Sequence, residues 1–421
     1  MKHDRILYLT PRSFSLERDA EITAARERGF DLLIATTTTS PIAGVPEMDV
    51  IRVPFGDSTA VADAIVAAIQ SSQRPVSGVV AWTDPDVEVA AQLSRRLGIR
   101  ALSPEAASTV RNKAATRRVL DKVDGANPRY ATVSKESEVR AAVAHAGPDC
   151  LLKPAGASGG RGIFRIRPED DPLTIYREMR TYCVPSRDSV YGWYSEMSVI
   201  EEYITGTEHS VAGFLVDGKI HVLAVTDKAV ATDLPYQYQT ILPSRLTNDA
   251  QELAIDIARA AVRATEIDQC GFHVDMMMAS SGPKVLEIGG RLGGECINSH
   301  LIPLAYGSRP YEAVLDLATG GRPSIVENPP APRARAAFRH LIPSLPGRIV
   351  ALEGLDRIAA HPNVRAFVQT KKVGEVVHHP RDKYNSLAVG FFVASFDVDT
   401  NVAEALEDIA RLARIEVDPV A

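Results

Sequence analysis

The sequence predicts an α/β protein that opens with a doubly wound parallel sheet and becomes α+β in its middle. Three observations predict this. Strand and helix patterns alternate over roughly the first hundred residues, glycine-linked strands dominate to about residue 325, and the tail alternates strands around one Ala/Leu helix. The chain has 421 residues, 45% of them hydrophobic and 24% charged, enough for two or three packed domains with real cores.

Taken in order, "RILYL" (5–9) is a short apolar strand, residues 16–28 have helical period, and "FDLLIATT" (30–37) is a second strand. Residues 58–70 form an Ala-rich helix, "GVVAW" (78–82) a third strand, and "DVEVAAQLSRRLG" (86–98) another helix. This is a Rossmann-like unit, placed at 1–105. Its first glycine is Gly29, so the first strand–helix turn lacks the G-x-G-x-x-G of a dinucleotide site. A redox enzyme is disfavoured, and the unit is expected to serve as scaffold beside a substrate cleft.

"SPEAASTVRNKAATRRVLDKV" (103–123) reads as one helix, with Ser103 as cap and Pro104 in the first turn. Ala106 leaves the capping box incomplete, while Glu105 favours the positive end of the helix dipole. Strands and glycine loops follow, so a central domain is placed at 106–325. "GGRPSIVENPPAPRAR" (320–335) reads as a linker, and a small α/β unit at 326–421 has its helix near 402–413.

Bulk properties remove several function classes. Net charge is −6, which gives nucleic acid or anionic membrane no electrostatic hold. No apolar run approaches the ~18–20 residues of a membrane span, and the amino terminus lacks the apolar region of a signal peptide. Cys150, Cys183, Cys270 and Cys296 are scattered without a C-x-x-C pair, as expected of reduced thiols in a cytoplasmic protein. His378 and His379 lack partners at zinc spacing.

Four stretches carry chemistry. In "CLLKPAGASGGRGIFRI" (150–166), two strands are joined by Gly156, Ser158, Gly159, Gly160 and Gly162. Such a loop can lay backbone N–H groups on an anion, with Lys153 and Arg161 adding positive charge; alone it fits a flexible hairpin equally well. "RNK" puts Lys113 on the preceding helix, and "SVIEEYITGTEHSVAGFLV" (198–216) runs a strand into Glu201 and Glu202. By themselves these two acids read as solvated strand-end charges. In "HVDMMMASSGPKVLEIGGR" (273–291), a hairpin turn centred on Ser281 sets Asp275 directly across from Glu287. Like charges so placed repel, but a divalent cation between them turns the pair into a cradle.

These four stretches, in this order over roughly residues 80–325, resemble the ATP-grasp ligase superfamily, and within it the carboxylate–amine ligases that join amino acids. The resemblance implies an ATP-grasp fold, with a small lid subdomain at about 128–203 and an amide bond made through an acylphosphate as ATP becomes ADP. It implies ATP and Mg2+ (or Mn2+) as cofactors, small-molecule substrates, and a homodimer. Lys113 and Lys153 would contact the α- and β-phosphates, and the loop with Ser158, Gly159 and Gly160 would close over the triphosphate. Glu201 to Ile204 would form the hinge, with backbone groups of Glu202 and Ile204 on the adenine edge, and Glu208 would hold the ribose. Asp275 and Glu287 would hold metal, and Arg291 would steady the phosphate and the tetrahedral oxyanion. Many relatives have Asn two residues after the second acid; here that position is Gly289, and His273, directly across, is expected to contact phosphate or back up the metal ligands.

The polar stretch "TDKAVATDLPYQYQTILPSRL" (226–246) reads as a long loop bordering the acceptor cleft, which offers Lys228, Tyr236 and Gln239 to substrate. Glu295, Asn298 and Ser299 follow the metal strand, and Glu295 is placed to receive a substrate ammonium group. Two other readings stand beside the ligase. One is a purine-pathway or carboxylase-type enzyme using formate or bicarbonate, although no Met-Lys-Met carrier motif is present. The other is a non-catalytic nucleotide-binding regulator.

Overall fold

The computed structural model describes residues 4–419 except 54–55, 73–74, 232–235, 327–330 and 381–385. The first unit contains β1 (Arg5–Leu9), α1 (Ser15–Glu27), β2 (Asp31–Thr36), β3 (Val50–Arg52), α2 (Ser58–Ser72), β4 (Gly78–Ala81) and α3 (Asp86–Leu97). Its four strands are parallel, in the order β3-β2-β1-β4. Leu7, Leu9, Leu33, Val61, Ile65 and Leu93 pack between one face of that sheet and its helices. The chain reverses its winding between β1 and β4, and the carboxyl ends of those strands make the crevice typical of such sheets.

The helix expected over 103–123 is two helices, α4 (Pro104–Arg111) and α5 (Lys113–Leu120). Asn112 breaks it by taking an extended backbone (φ −109°, ψ 107°) and accepting hydrogen bonds from the N–H groups of Ala114 and Ala115 at 3.0 and 3.3 Å. Asn is neutral inside a helix but strong as a cap. The break leaves the Lys113 N–H at a helix start, where it donates to the Ala155 carbonyl at 2.9 Å.

A small antiparallel sheet follows, built from β5 (Tyr130–Val133), β6 (Cys150–Pro154), β7 (Phe164–Ile166) and β8 (Ser198–Glu202) in the order β5-β8-β6-β7. Helices α6 (Val139–Ala146) and α7 (Pro172–Tyr182) cover it, with Val139, Leu152, Phe164, Met179 and Ile200 in a core of its own.

The large sheet begins with β9 (Thr207–Val216), β10 (Lys219–Val230), β11 (Gln237–Leu242), β12 (Cys270–Ala279) and β13 (Gly282–Gly289), with α8 (Asn248–Ala264) between β11 and β12. After α9 (Ile302–Tyr306) and α10 (Pro310–Ala318) it takes up β14 (Arg335–Leu341), passing β15 (Gly347–Glu353) and α11 (Leu355–Ala359). Then come β16 (Val364–Gln369), β17 (Val376–Val377), β18 (Gly390–Phe396), α12 (Val402–Ala410) and β19 (Arg414–Asp418). The large sheet runs β13-β12-β9-β10-β11-β14-β18-β16, and a three-stranded sheet runs β17-β15-β19. The stretch 320–335 therefore joins two parts of one sheet. Among the described residues no helix is long and apolar enough to cross a membrane.

The long loop expected over 226–246 is shorter than its composition suggests. β10 extends to Val230 and β11 starts at Gln237, with Lys228 paired to Glu208 on one side and Thr240 on the other. Consecutive polar residues such as Asp227 with Lys228 and Gln239 with Thr240 break the apolar alternation of a strand, while the backbone still pairs on both sides. Residues 232–235 of that stretch lie outside the described residues.

Candidate active site

The floor of the site is the β12–β13 hairpin. His273 pairs with Gly289 and Asp275 with Glu287, the expected register. Its origin is different: Ala279 pairs with Gly282 across a two-residue turn, and the register then shifts between Asp275 and Met276. Met276 faces Val285, so Leu286 is the extra residue of a β-bulge that brings the two acids back into opposition. Arg117 braces the bulge, donating to the carbonyls of Val285 and Leu286 at 2.7 and 2.9 Å.

Each acid faces a lysine. Asp275 Oδ2 lies 2.8 Å from Lys228 Nζ, which is also 3.7 Å from Glu208. Glu287 lies 3.5 Å from Lys113 Nζ, and Lys113 also donates to the Ala157 carbonyl of the glycine loop. Burial raises the Asp275 carboxyl, but Lys228 outweighs it and holds the group below its usual range. Burial lowers the Lys113 ammonium, with Glu287 opposing. Asp275 Oδ1 is buried without a hydrogen-bond partner, an orphaned carboxylate oxygen beside a second carboxylate. That donor chemistry fits a hard divalent cation. Among the described residues no group of three or more His, Cys, Asp or Glu side chains is placed to hold a metal, so phosphate oxygens would complete the ligand set.

The Gly289 position is not empty space. A Cβ added there would fall 2.0 Å from His273 Cε1 and 2.6 Å from Nδ1, so the imidazole fills the volume a side chain would need. His273 Nδ1 lies 3.1 Å from the Arg291 carbonyl and fixes the start of the next loop. Burial lowers the His273 pKa, and Arg291 lowers it further, which favours the neutral ring.

The side expected to meet phosphate is built from the small antiparallel sheet. Lys153, on β6, is 6% exposed and bonds Glu201 at 2.6 Å; Glu201, on β8, also accepts from Arg117 Nε at 2.7 Å. Burial raises the Glu201 carboxyl, but the two cations outweigh it and bring its pKa to about 2. Both Glu201 oxygens are engaged within the protein, so Glu201 holds Lys153 in place. Arg117 extends this contact from the small sheet to the bulge in the floor; a basic residue on a polar helix gave no hint of it. In the glycine loop, Gly159 and Gly160 adopt φ of 64° and 72°, where a side chain is strained. Ser158 is buried and accepts from Arg161 through its carbonyl and hydroxyl, at 2.9 and 3.2 Å.

In the stretch expected to form the hinge, the Glu202 side chain turns to Arg129, and the Glu202 N–H donates to the Arg129 carbonyl. Ile204 lies just beyond, in the turn between β8 and β9. Glu208 shares the sheet face of Asp275 through Lys228, and burial raises its carboxyl.

Arg291 leaves the hairpin and meets Asp84, on the loop after β4, through Nε at 2.9 Å and through Nη2; Nη1 donates to the Leu292 carbonyl at 2.7 Å. Burial raises the Asp84 carboxyl, and Arg291 with Arg111 outweighs it, holding the group far below its ordinary range. Arg12, from the turn after β1, reaches the carbonyls of Leu292 and Gly293 at 2.7 and 3.2 Å. Neither Asp84 nor Arg12 carries a motif.

Among the expected substrate residues, Glu295 has φ 57° and accepts from Thr240 at 3.1 Å and from Gln237. Burial pushes its pKa up to about 7 against the pull of Lys228. Asn298 donates to the Gly293 carbonyl at 2.9 Å, and its buried Oδ1 has no hydrogen-bond partner. The residues that follow Cys296, Ile297–Leu301, form a π-turn, a feature frequent at functional sites. Ser299 bonds His300 at 2.8 Å. Gln239 bonds Arg339 at 2.6 Å, and Tyr236 is buried against Leu387 and Ala388. These last two lie on the carboxy-terminal side of the sheet, apart from the acid cluster.

Residues 147–299 match the ATP-grasp domain model, and residues 339–418 match the L-amino acid ligase C-terminal domain 2. Carnosine synthase 1 of Gallus gallus is 32% identical over 39% of this chain and 18% of its own length. Alanine–anticapsin ligase of Bacillus subtilis (strain 168) is 22% identical over 48% of this chain and 46% of its own. The chain thus spans less than half of either relative. The crystal structure of an L-amino acid ligase from Bacillus licheniformis superposes with a TM-score of 0.80 at 18% identity, covering 99% of this chain and 100% of that one. Residues 147–299 thus carry the ATP-grasp domain, residues 339–418 carry the L-amino acid ligase C-terminal domain 2, and the chain shares the fold of that L-amino acid ligase structure.

Proposed function

We propose that this chain makes an amide bond between an amino-acid-type carboxylate and an amine, at the cost of ATP to ADP and phosphate. The observation that carries the reading is the opposed Asp275–Glu287 pair with its bare Oδ1, beside Arg291 and within reach of two lysines. A carboxylate oxygen of the donor attacks the γ-phosphorus and ADP leaves with the P–O electron pair. The amine then attacks the acyl carbon, loses a proton, and phosphate departs. A divalent ion bound at Asp275 and Glu287 would neutralise charge on the transferring group.

The protein's own groups do the rest. Lys153, held by Glu201, and Lys113, at the start of α5, supply fixed positive charge to the phosphates. The backbone of residues 158–160 closes over them. Arg291 offers N–H groups to the oxyanion, and Glu295 with Asn298 Oδ1 receives a donor's ammonium group. Ribose at Glu208, Mg2+ or Mn2+ at the acids, and action as a cytoplasmic homodimer on small molecules belong to the same proposal; all four cysteines are free thiols, in keeping with a reducing compartment. The carboxy-terminal domain match favours amino acids over formate or bicarbonate.

The test is phosphate release from ATP and Mg2+ across a panel of amino-acid pairs, with products read by mass spectrometry. Amino-acid-dependent ADP together with a new amide mass is expected. AMP and pyrophosphate as products would overturn the acylphosphate route.

A further inference from the structure

Arg291 carries five N–H donors in a rigid fork. Asp84 takes two of them, on Nε and Nη2, and the Leu292 carbonyl takes one on Nη1. One N–H on each of Nη1 and Nη2 remains beyond these contacts. A bidentate carboxylate fixes a guanidinium in plane and direction, where a single bond leaves it free to swing.

The carboxylate comes from outside the ATP-grasp domain. Asp84 lies 207 residues before Arg291, at the carboxyl end of β4, where the winding of the first sheet reverses. Its loop is itself braced. Thr83 donates to Asp86 at 2.6 Å, Thr10 from the turn after β1 donates to the same carboxylate at 3.4 Å, and the Asp84 carbonyl accepts from the Val87 N–H at 3.1 Å. At the other end of Arg291, His273 Nδ1 meets the backbone carbonyl. Both the backbone and the guanidinium of Arg291 are thus held, and the pair is largely out of water, with side-chain exposures of 14% and 12%.

We propose that Asp84 is a positioning residue for the ligase reaction, carried to the site by the first domain to clamp one edge of Arg291 and present its other N–H groups to the reacting phosphoryl and carbonyl oxygens. The site is then incomplete without the first domain, whose switch-point crevice is coupled to the chemistry through this carboxylate. The proposal rests on the ligase reading above.

The test is Asp84→Asn, which keeps shape and removes charge. Misplacing the guanidinium by an ångström should lower kcat about 100-fold, with the KM for ATP changed less than about twofold. A role confined to stability would not produce that split. In an Arg291→Ala background, Asp84→Asn should lower kcat no further, because the group it positions is gone. An unchanged kcat, a loss seen only in KM, or two losses that multiply independently would each overturn the proposal. Should Asp84→Asn fail to fold, Asp84→Glu retains the charge and displaces the guanidinium by one methylene, and the same comparisons apply. The Arg291 Nε–H resonance, expected in slow exchange in the wild type and lost in Asp84→Asn, reads the clamp without turnover. A clamp seen by NMR in a protein that joins no amino-acid pair would count against the ligase reading alone, and a fast-exchanging Nε–H in the wild type would overturn the clamp.

Discussion

Asp275, on the floor hairpin, and Asp84, on the loop after β4, are two aspartates with side-chain exposures of 19% and 12%. Asp275 gives one oxygen to Lys228 and keeps the other bare; Asp84 gives both to Arg291. Both carboxyls are held below their ordinary range against burial, but by different neighbours: a mobile-headed lysine in one case, a rigid guanidinium in the other. A carboxylate with an unmet lone pair in a buried place is poised for an incoming cation. A carboxylate saturated by a fork is a fixed prop. On the proposed function, Asp275 would receive a ligand and Asp84 would hold another group still.

The strongest way to break it lies on the floor. Glu287→Gln should lower kcat roughly 10²–10³-fold while circular dichroism and Tm show an intact fold; unchanged turnover would refute the metal assignment. Lys228→Met removes the resident cation beside Asp275, so Mn2+ should bind more tightly in the absence of nucleotide, by about tenfold, since one like charge is gone. Titration of Mn2+ by paramagnetic resonance reads this, and an unaltered affinity would mean Asp275 and metal do not meet. Gly289→Ala puts a methyl where the His273 ring lies, and should destabilise by about 1–3 kcal/mol in chemical denaturation. The same change in a His273→Ala background should cost much less; equal costs would show that the two positions do not share volume.

The smallest effect concerns a third buried acid. Glu21 is fully buried in α1, and burial pushes its pKa up to about 8 against Arg12. Because the folded value exceeds the unfolded one, the folded state binds the extra proton. Its contribution is fully present below about pH 4 and is lost as pH rises toward 8. Tm should therefore decline over that window, and Glu21→Gln should flatten the decline. The same slope in the variant would assign it to other groups.

How much was legible follows the same division. The opposition of Asp275 and Glu287, the glycine loop and the strand–helix alternation could be read because each is local: hairpin register, turn chemistry and hydrophobic period are written within some twenty residues. Even there, the register arose from a turn and a bulge whose offsets cancel. The single helix over 103–123 failed because Asn112 offers its side chain to the backbone, a choice settled by the Ala155 carbonyl that receives the Lys113 N–H. The loop over 226–246 failed because consecutive polar residues break the apolar alternation in strands whose backbones nonetheless pair from β9 through β10 to β11.

The sequence by itself determined the alternation of elements, the glycine loop, the acid pair and the absence of a dinucleotide turn, since propensity, spacing and charge act over short separations. Only the tertiary structure decided which cation each acid meets. Arg117 on Glu201, Lys228 on Asp275 and Asp84 on Arg291 are pairings across 84, 47 and 207 residues. The sequence shows the charges, but burial makes their pairing necessary, and burial exists only once the sheets have closed around them.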